Sequence, residues 1–364
     1  MSPGTLAKLG TERDPEVSEQ SEWPAEHPRF SPRRWMRNEH LQTILGNFLP
    51  RADVLPEPVA EVVEVSPAHG SQIASRVLCE CHWQALPQRP DCPTAIILHG
   101  LEGSSRSQYV IGNANKLWRA GWNVIRMNMR NCGPGRGDQM LRLTPTLYHS
   151  GLSLDVERVM QHFVDAQGLQ SVALIGYSMG GNLVLKLAGD LGGNAPPQLR
   201  AVVGVSPALD LAASADALHE PWNRIYERKF VHALLRRFRR KAQLFPRAYD
   251  PHRADHVTSL REFDERITAL YCGFQSADDY YHRAAAARVV DRIAVPTLLI
   301  HSQDDPFVRI LPTSRRIIAD NPNIAFLLTS YGGHCAFLEP SDPSTGSDGY
   351  WAEQTALRFV SAHA

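Results

Sequence analysis

From residue 94 to residue 329 the chain alternates short apolar runs with longer segments whose apolar residues recur every three or four positions. The runs lie at 94–98, 122–128, 171–176, 200–205, 296–301 and 323–329. Runs that short, without polar alternation, predict strands buried on both faces, as in a parallel sheet. Helices are predicted at about 106–120, closed by Gly121, and at about 151–167. After the 171–176 run, Leu183, Val184, Leu187 and Ala188 share one helical face. Two earlier stretches, 59–65 and 73–83, predict an antiparallel opening hairpin. The pattern as a whole predicts an α/β fold, a mostly parallel central sheet with helices on both faces. It breaks once: 209 to about 291 is helix-rich without a strand run, which predicts a helical cap insertion. Residues 1 to about 57 stand outside the alternation and predict a disordered start followed by an arm. Residues 58–364 are predicted to form one domain with the cap inside it.

The chemistry sits at the ends of those strands. Gly176-Tyr177-Ser178-Met179-Gly180 joins the 171–176 run to the helical face beginning at Asn182. G-x-S-x-G between a strand and a helix is the nucleophile elbow of an α/β-hydrolase, which raises the serine hydroxyl on a sharp corner beside the first N–H groups of the helix. A serine hydroxyl needs a base, an acid to orient that base and donors for the oxyanion. In this fold they follow in the order Ser, Asp/Glu, His. The 296–301 run ends in Ser302-Gln303-Asp304-Asp305-Pro306, and the 323–329 run leads to Tyr331-Gly332-Gly333-His334. Asp305 is the expected acid, since the residue before a proline is held extended; Asp304 and Asp210 are its rivals. His334 is the expected base, because Gly332 and Gly333 let its loop approach the elbow. The oxyanion donors are expected to be the amides of Met179 and, in the His99-Gly100-Leu101 turn, of Leu101. His99 is expected to brace that turn.

Further blocks carry a family resemblance. Residues 34–45 (R-W-M-R-N-E-H-L-Q-T-I-L), H-G-L-E-G-S-S at 99–105, N-M-R-N-C-G at 128–133, Y-H-S-G at 148–151, Gly176 to Asn182 and Asp304-Asp305-Pro306 occur in order. Together they resemble the YheT-like branch of the α/β-hydrolases over about residues 30 to 350. That branch includes bacterial hydrolases, yeast medium-chain ethyl-ester synthase/esterases and animal membrane-anchored phospholipases. The resemblance implies the fold, ester chemistry and medium-chain acyl groups. The animal members carry an N-terminal membrane anchor; none is expected here, so their membrane-phospholipid activity is not carried over.

Composition narrows the function classes. Lys+Arg and Asp+Glu both number 38, which gives no nucleic-acid footprint. No apolar run approaches the roughly 18 residues of a membrane span, and the polar start lacks a signal-peptide core, so a cytoplasmic location is expected. The six cysteines show no C-x-x-C pairing, so neither a zinc site nor a redox dithiol is expected. Cys132 and Cys335, near the expected site, read as small buried hydrophobes. Residues 224–241 form a basic amphipathic stretch (Arg224, Arg228, Lys229, Arg236, Arg237, Arg239, Arg240 and Lys241 against Glu227) with an apolar stripe of Phe230, Leu234, Leu235 and Phe238. Such a helix can meet an anionic membrane or a phosphate. The expected role here is a cap helix that packs its stripe and solvates its charges, without membrane contact. The sequence thus predicts a serine hydrolase of short- to medium-chain carboxylic esters, a small-molecule substrate, and no metal or organic cofactor. Acyl transfer to an alcohol and thioester hydrolysis would use the same residues. A non-catalytic binding protein on this scaffold is the alternative of another class.

Overall fold

Every residue of β3 (Thr94–Leu98), β4 (Asn123–Met127), β5 (Val172–Tyr177) and β7 (Thr297–Ser302) is buried. That double-sided burial is why these segments read as unbroken apolar runs. They belong to a computed structural model that describes residues 29–364, apart from 71, 136 and 345. The start expected to be disordered lies largely outside the described residues. With β1 (Val59–Ser66), β2 (Ser75–His82), β6 (Leu199–Val205) and β8 (Ile324–Thr329), the strands form one eight-stranded sheet in the order β1-β2-β4-β3-β5-β6-β7-β8. The opening hairpin is antiparallel and joins β4 antiparallel; every pairing from β4 through β3 to β8 is parallel.

The longer helices are α1 (Glu39–Phe48), α2 (Gln108–Arg119), α3 (Ser153–Gln167), α4 (Met179–Leu191), α5 (Leu211–Leu218), α6 (Arg224–Leu244), α7 (Ala277–Ala284), α8 (Pro312–Asp320) and α9 (Trp351–Ala362). The core is double, because alternate strand residues point to opposite faces. On one face Ile96, Leu98 and Leu174 pack with Val156 and Phe163 of α3 and Leu183 of α4. On the other, Ile97, Val124 and Ile175 pack with Leu117 of α2 and Trp351 and Phe359 of α9. This is the predicted three-layer α/β arrangement.

Two additions shape the site. The insertion after β6 forms the cap: α5, α6 and α7 with short turns between them, and no strand among the described residues. Leu234, Leu235 and Phe238 of α6 are buried in it. Lys241 and Arg237 of α6 face inward rather than to solvent. Lys241 is buried and donates to Asn131 Oδ1 (2.7 Å) and to the Leu141 (2.8 Å) and Thr144 carbonyls. Burial lowers its pKa to about 7, with Arg130 and Arg237 acting in the same direction. Arg240 stays exposed and pairs with Asp138 at 2.6 Å. Among the described residues, no helix is long and apolar enough to cross a membrane.

The arm is the second addition. Asn38 caps α1 by accepting from the Leu41 amide at 2.9 Å. Arg51 then reaches Glu353 of α9 at 2.9 and 3.0 Å, and Lys116 of α2 meets the same carboxylate at 2.6 Å. Glu353 is 3% exposed and stands between two cations. Both cations also reach Asp348, at 3.1 and 2.5 Å, but that carboxylate is half-exposed, so removing Glu353 would leave two buried cations sharing one solvated partner. Glu353→Ala should therefore destabilise the protein by about 3–5 kcal/mol, read as a lower urea midpoint with an unchanged slope; a midpoint within error of wild type would contradict this account.

Candidate active site

Ser178 sits on a backbone corner that only a crowded turn imposes. Its φ is +54° and its ψ −117°, a conformation that costs about 1–3 kcal/mol and persists where the surroundings over-determine it. Here they do. A Cβ on Gly180 would lie 2.5 Å from the His99 carbonyl oxygen, and one on Gly176 would overlap the Gly180 carbonyl. Gly100 in turn lies where a Cβ would be 3.1 Å from that of Ser178. The elbow and the H-G turn are therefore in direct contact. Among the described residues, neither the Met179 nor the Leu101 amide donates to the protein; Met179 opens α4, where the first N–H groups have no intrahelical acceptor.

His99 holds the turn from beneath. Its Nδ1 donates to the Gly100 carbonyl at 2.7 Å, and its Nε2 accepts from the Met129 amide at 3.1 Å. Burial lowers its pKa to about 4, which keeps it neutral.

The acidic candidates separate by position. Asp305, 1% exposed, accepts from His334 Nδ1 at 2.8 Å on one oxygen and from the Phe307 and Val308 amides on the other. Asp304 instead accepts from the Gly333 amide at 2.9 Å. Asp210 binds the Leu311 amide and the Ser314 hydroxyl, at the start of α8. The structure thus brings His334 to Asp305 and to neither rival. Burial disfavours the His334 cation, but the Asp305 carboxylate and its hydrogen bond outweigh this and raise the pKa above the usual histidine value.

His334 Nε2 faces the Cys335 thiol at 3.5 Å, and among the described residues no hydrogen bond links it to Ser178 Oγ. Such bonds are often open before substrate binds. The His334 loop is fixed from several sides. Thr43 Oγ1 of α1 accepts from the His334 amide at 2.9 Å. Gln42 exchanges hydrogen bonds of 2.9 Å with the backbone of Leu338 in both directions. Ser302 donates to the Gly333 carbonyl, and Ser206 accepts from the Cys335 amide. The role of Thr43 and Gln42 was missed in the sequence, although both lie inside the 34–45 block.

Ser178 and Met179 open into a cavity of about 740 Å³, counting its mouth, between the sheet and the cap. Leu101, Leu211, Leu218, Phe230 and Leu234 are among its apolar lining. Glu102, the residue after Leu101, binds Arg237 of α6 at 3.0 Å through two nitrogens and accepts from Tyr148 at 2.6 Å. That ion pair ties the cap to the turn carrying Leu101. It also gives the basic helix an internal role where solvation alone was expected.

Residues 93–341 match the family model described as alpha/beta hydrolase fold. The chain is similar to YheT of Escherichia coli, an esterase in name, with 32% identity over 85% of this chain and 87% of that protein. Phospholipase ABHD3 of Bos taurus is 27% identical over 94% of this chain and 80% of its own. Medium-chain fatty acid ethyl ester synthase/esterase 2 of Saccharomyces cerevisiae is 29% identical over 74% of this chain and 62% of its own.

The Asp305–His334 contact has a pH consequence. A raised His334 pKa should place the acid limb of kcat/KM above the ordinary histidine value of about 6.5. Asp305→Asn should move that limb down and cut kcat by about three to four orders of magnitude, through loss of charge and of the correct tautomer. Asp304→Asn should leave the limb in place and cost far less. Equal effects of the two substitutions would remove the distinction drawn here.

Proposed function

The chain belongs to the α/β-hydrolase fold family, in the branch that contains YheT, and we propose that it is a serine esterase acting on carboxylic esters of short to medium acyl chain. The observation that best supports this is the position of Ser178, on a strained corner beside two unpartnered amides and open to an apolar cavity.

In this reading Ser178 Oγ attacks the ester carbonyl carbon while His334 Nε2 takes its proton. The carbonyl oxygen becomes an oxyanion held by the Met179 and Leu101 amides, donors that are each worth on the order of a hundredfold in rate. Asp305 accepts from Nδ1–H and stabilises the imidazolium. Collapse breaks the ester C–O bond; the leaving alcohol takes the proton from Nε2, and the acyl group stays on Ser178. A water molecule, deprotonated by Nε2, then adds to the acyl carbon. The second collapse returns the proton to Ser178 Oγ and frees the acid. An alcohol in place of that water would give ester exchange, a reaction suggested by the synthase/esterase name of the yeast relative.

The acyl range rests on the cavity. Each methylene buried against Leu211, Leu218 and Leu234 contributes about 0.8 kcal/mol, roughly fourfold in kcat/KM, until the cap closes the space.

Two measurements test the proposal. A fluorophosphonate probe should label the wild type and not Ser178→Ala; equal labelling would remove Ser178 from the chemistry. Across p-nitrophenyl esters from acetate to palmitate, kcat/KM should peak between about four and ten acyl carbons, as expected for a closed pocket. A profile still rising at palmitate would point to a long-chain lipase instead.

A further inference from the structure

The cavity wall is not wholly apolar: besides Ser178 it carries His149, Ser150, Ser214, Asp264 and Thr268, and of these only Asp264 is a carboxylate. Asp264 opens a π-helical turn, Asp264–Ala269, in the cap. Such turns are rare and frequent at functional sites. The side chain lines the same cavity as Ser178, and the residue is 7% exposed. One of its oxygens accepts from the Thr268 hydroxyl at 2.7 Å and the other from the Tyr281 hydroxyl at 2.8 Å. Both donors are neutral. Arg261, one turn earlier, directs its guanidinium to Asp216 (2.8 Å) and Asp278 (2.6 Å) instead.

A carboxylate offers about four acceptor positions, so about two remain here. Among the other polar residues of the wall, the Tyr280–Ser150 pair differs. Tyr280 donates to Ser150 Oγ and accepts from the Ser150 amide, both at 3.0 Å, so it is satisfied internally. Asp264 alone of the two keeps acceptor capacity beside Phe263, Leu234 and Leu260. Burial raises its pKa to about 6, against the Thr268 and Tyr281 hydrogen bonds and the more distant Arg261 charge. An alkyl chain pressed against it would strip its remaining solvation and return nothing. A donor on that chain would restore the lost hydrogen bond.

We propose that Asp264 selects the substrate, by accepting a hydrogen bond from a hydroxyl or a protonated amine carried on the acyl chain. The preferred esters are then donor-bearing acyl esters rather than plain alkyl ones. This rests on the serine-esterase reading of Ser178. Bracing of α7 through Tyr281 accompanies the role but does not explain acceptor capacity beside the substrate.

The test uses methyl esters with four, six and eight acyl carbons, each as the plain alkyl, ω-hydroxy and ω-amino form. At one chain length or more, the wild type should favour a donor-bearing ester by at least about tenfold in kcat/KM, because sites built for a donor reject analogues lacking it. Asp264→Asn should bring the ω-amino ratio close to one and lower the ω-hydroxy ratio, because the amide keeps one acceptor oxygen but loses the charge. The ratio is internal to each variant, so a general folding defect scales both terms alike. The hydroxy and amino arms show which donor is used. A wild type that favours the alkyl ester at every length, or a ratio unchanged in Asp264→Asn, overturns the proposal. If no ester is turned over, the esterase reading has failed, and binding of the corresponding free acids to Ser178→Ala, with and without Asp264→Asn, decides the role of Asp264 by calorimetry. Equal affinity for all three acids would then overturn it.

Discussion

The backbone of α4 approaches β3 so closely that no side-chain carbon fits at Gly180, where one would lie 2.5 Å from the His99 carbonyl oxygen. Much else follows from this approach. It brings the elbow against the H-G turn, so the Met179 and Leu101 amides lie on two chain segments in contact rather than on one flexible loop. It also holds Ser178 at a positive φ that an isolated strand–helix junction would relax. His99 completes the arrangement: buried and neutral, it links the turn to the Met129 amide after β4. Three parallel strands thus hold the corner in place. That is the physical sense in which the sheet forms the site.

His334 depends on a different kind of support. Its loop has two glycines at positive φ, and a side chain at Gly333 would meet the Glu39 carbonyl at 2.6 Å. The loop is therefore seated on α1, with Thr43 and Gln42 bonding its backbone. The arm is itself tied down by Arg51, through Glu353, to α9 and α2. Phe307 packs its ring 4.5 Å from that of His334, and both His334 and Asp305 are buried. A buried carboxylate next to an imidazole favours the imidazolium strongly in such surroundings, since little solvent screens the pair.

The cap meets the rest of the protein through ionic contacts at its rim and apolar ones inside. The Glu102–Arg237 pair is partly buried and bidentate, a geometry that fixes orientation as well as distance. Because Glu102 follows Leu101 directly, a displaced cap would disturb the turn that packs against the elbow, not only the cavity. Asp264 stands out against the apolar interior of that cavity for the same electrostatic reason: where dielectric is low, an incompletely partnered carboxylate is costly unless a ligand completes its partners.

The sequence by itself determined the layers. Burial on both faces is a property of a short run, so β3 coincides with the predicted 94–98 and β5 lies one residue from 171–176. The elbow was equally legible, because its glycines and serine are neighbours in the chain and meet a local steric demand. What tertiary structure decided were contacts between distant residues. Asp304 and Asp305 are adjacent carboxylates, and their sequence separates them only by the following proline; the turn after β7 sends one to Gly333 and the other to His334. Thr43 meets His334 across 291 residues, and Arg237 meets Glu102 across 135. In the sequence the cations of α6 look interchangeable. Which of them turn inward depends on the acceptors that the 131–144 segment and Glu102 present, and such pairings leave no periodicity in the chain that forms them.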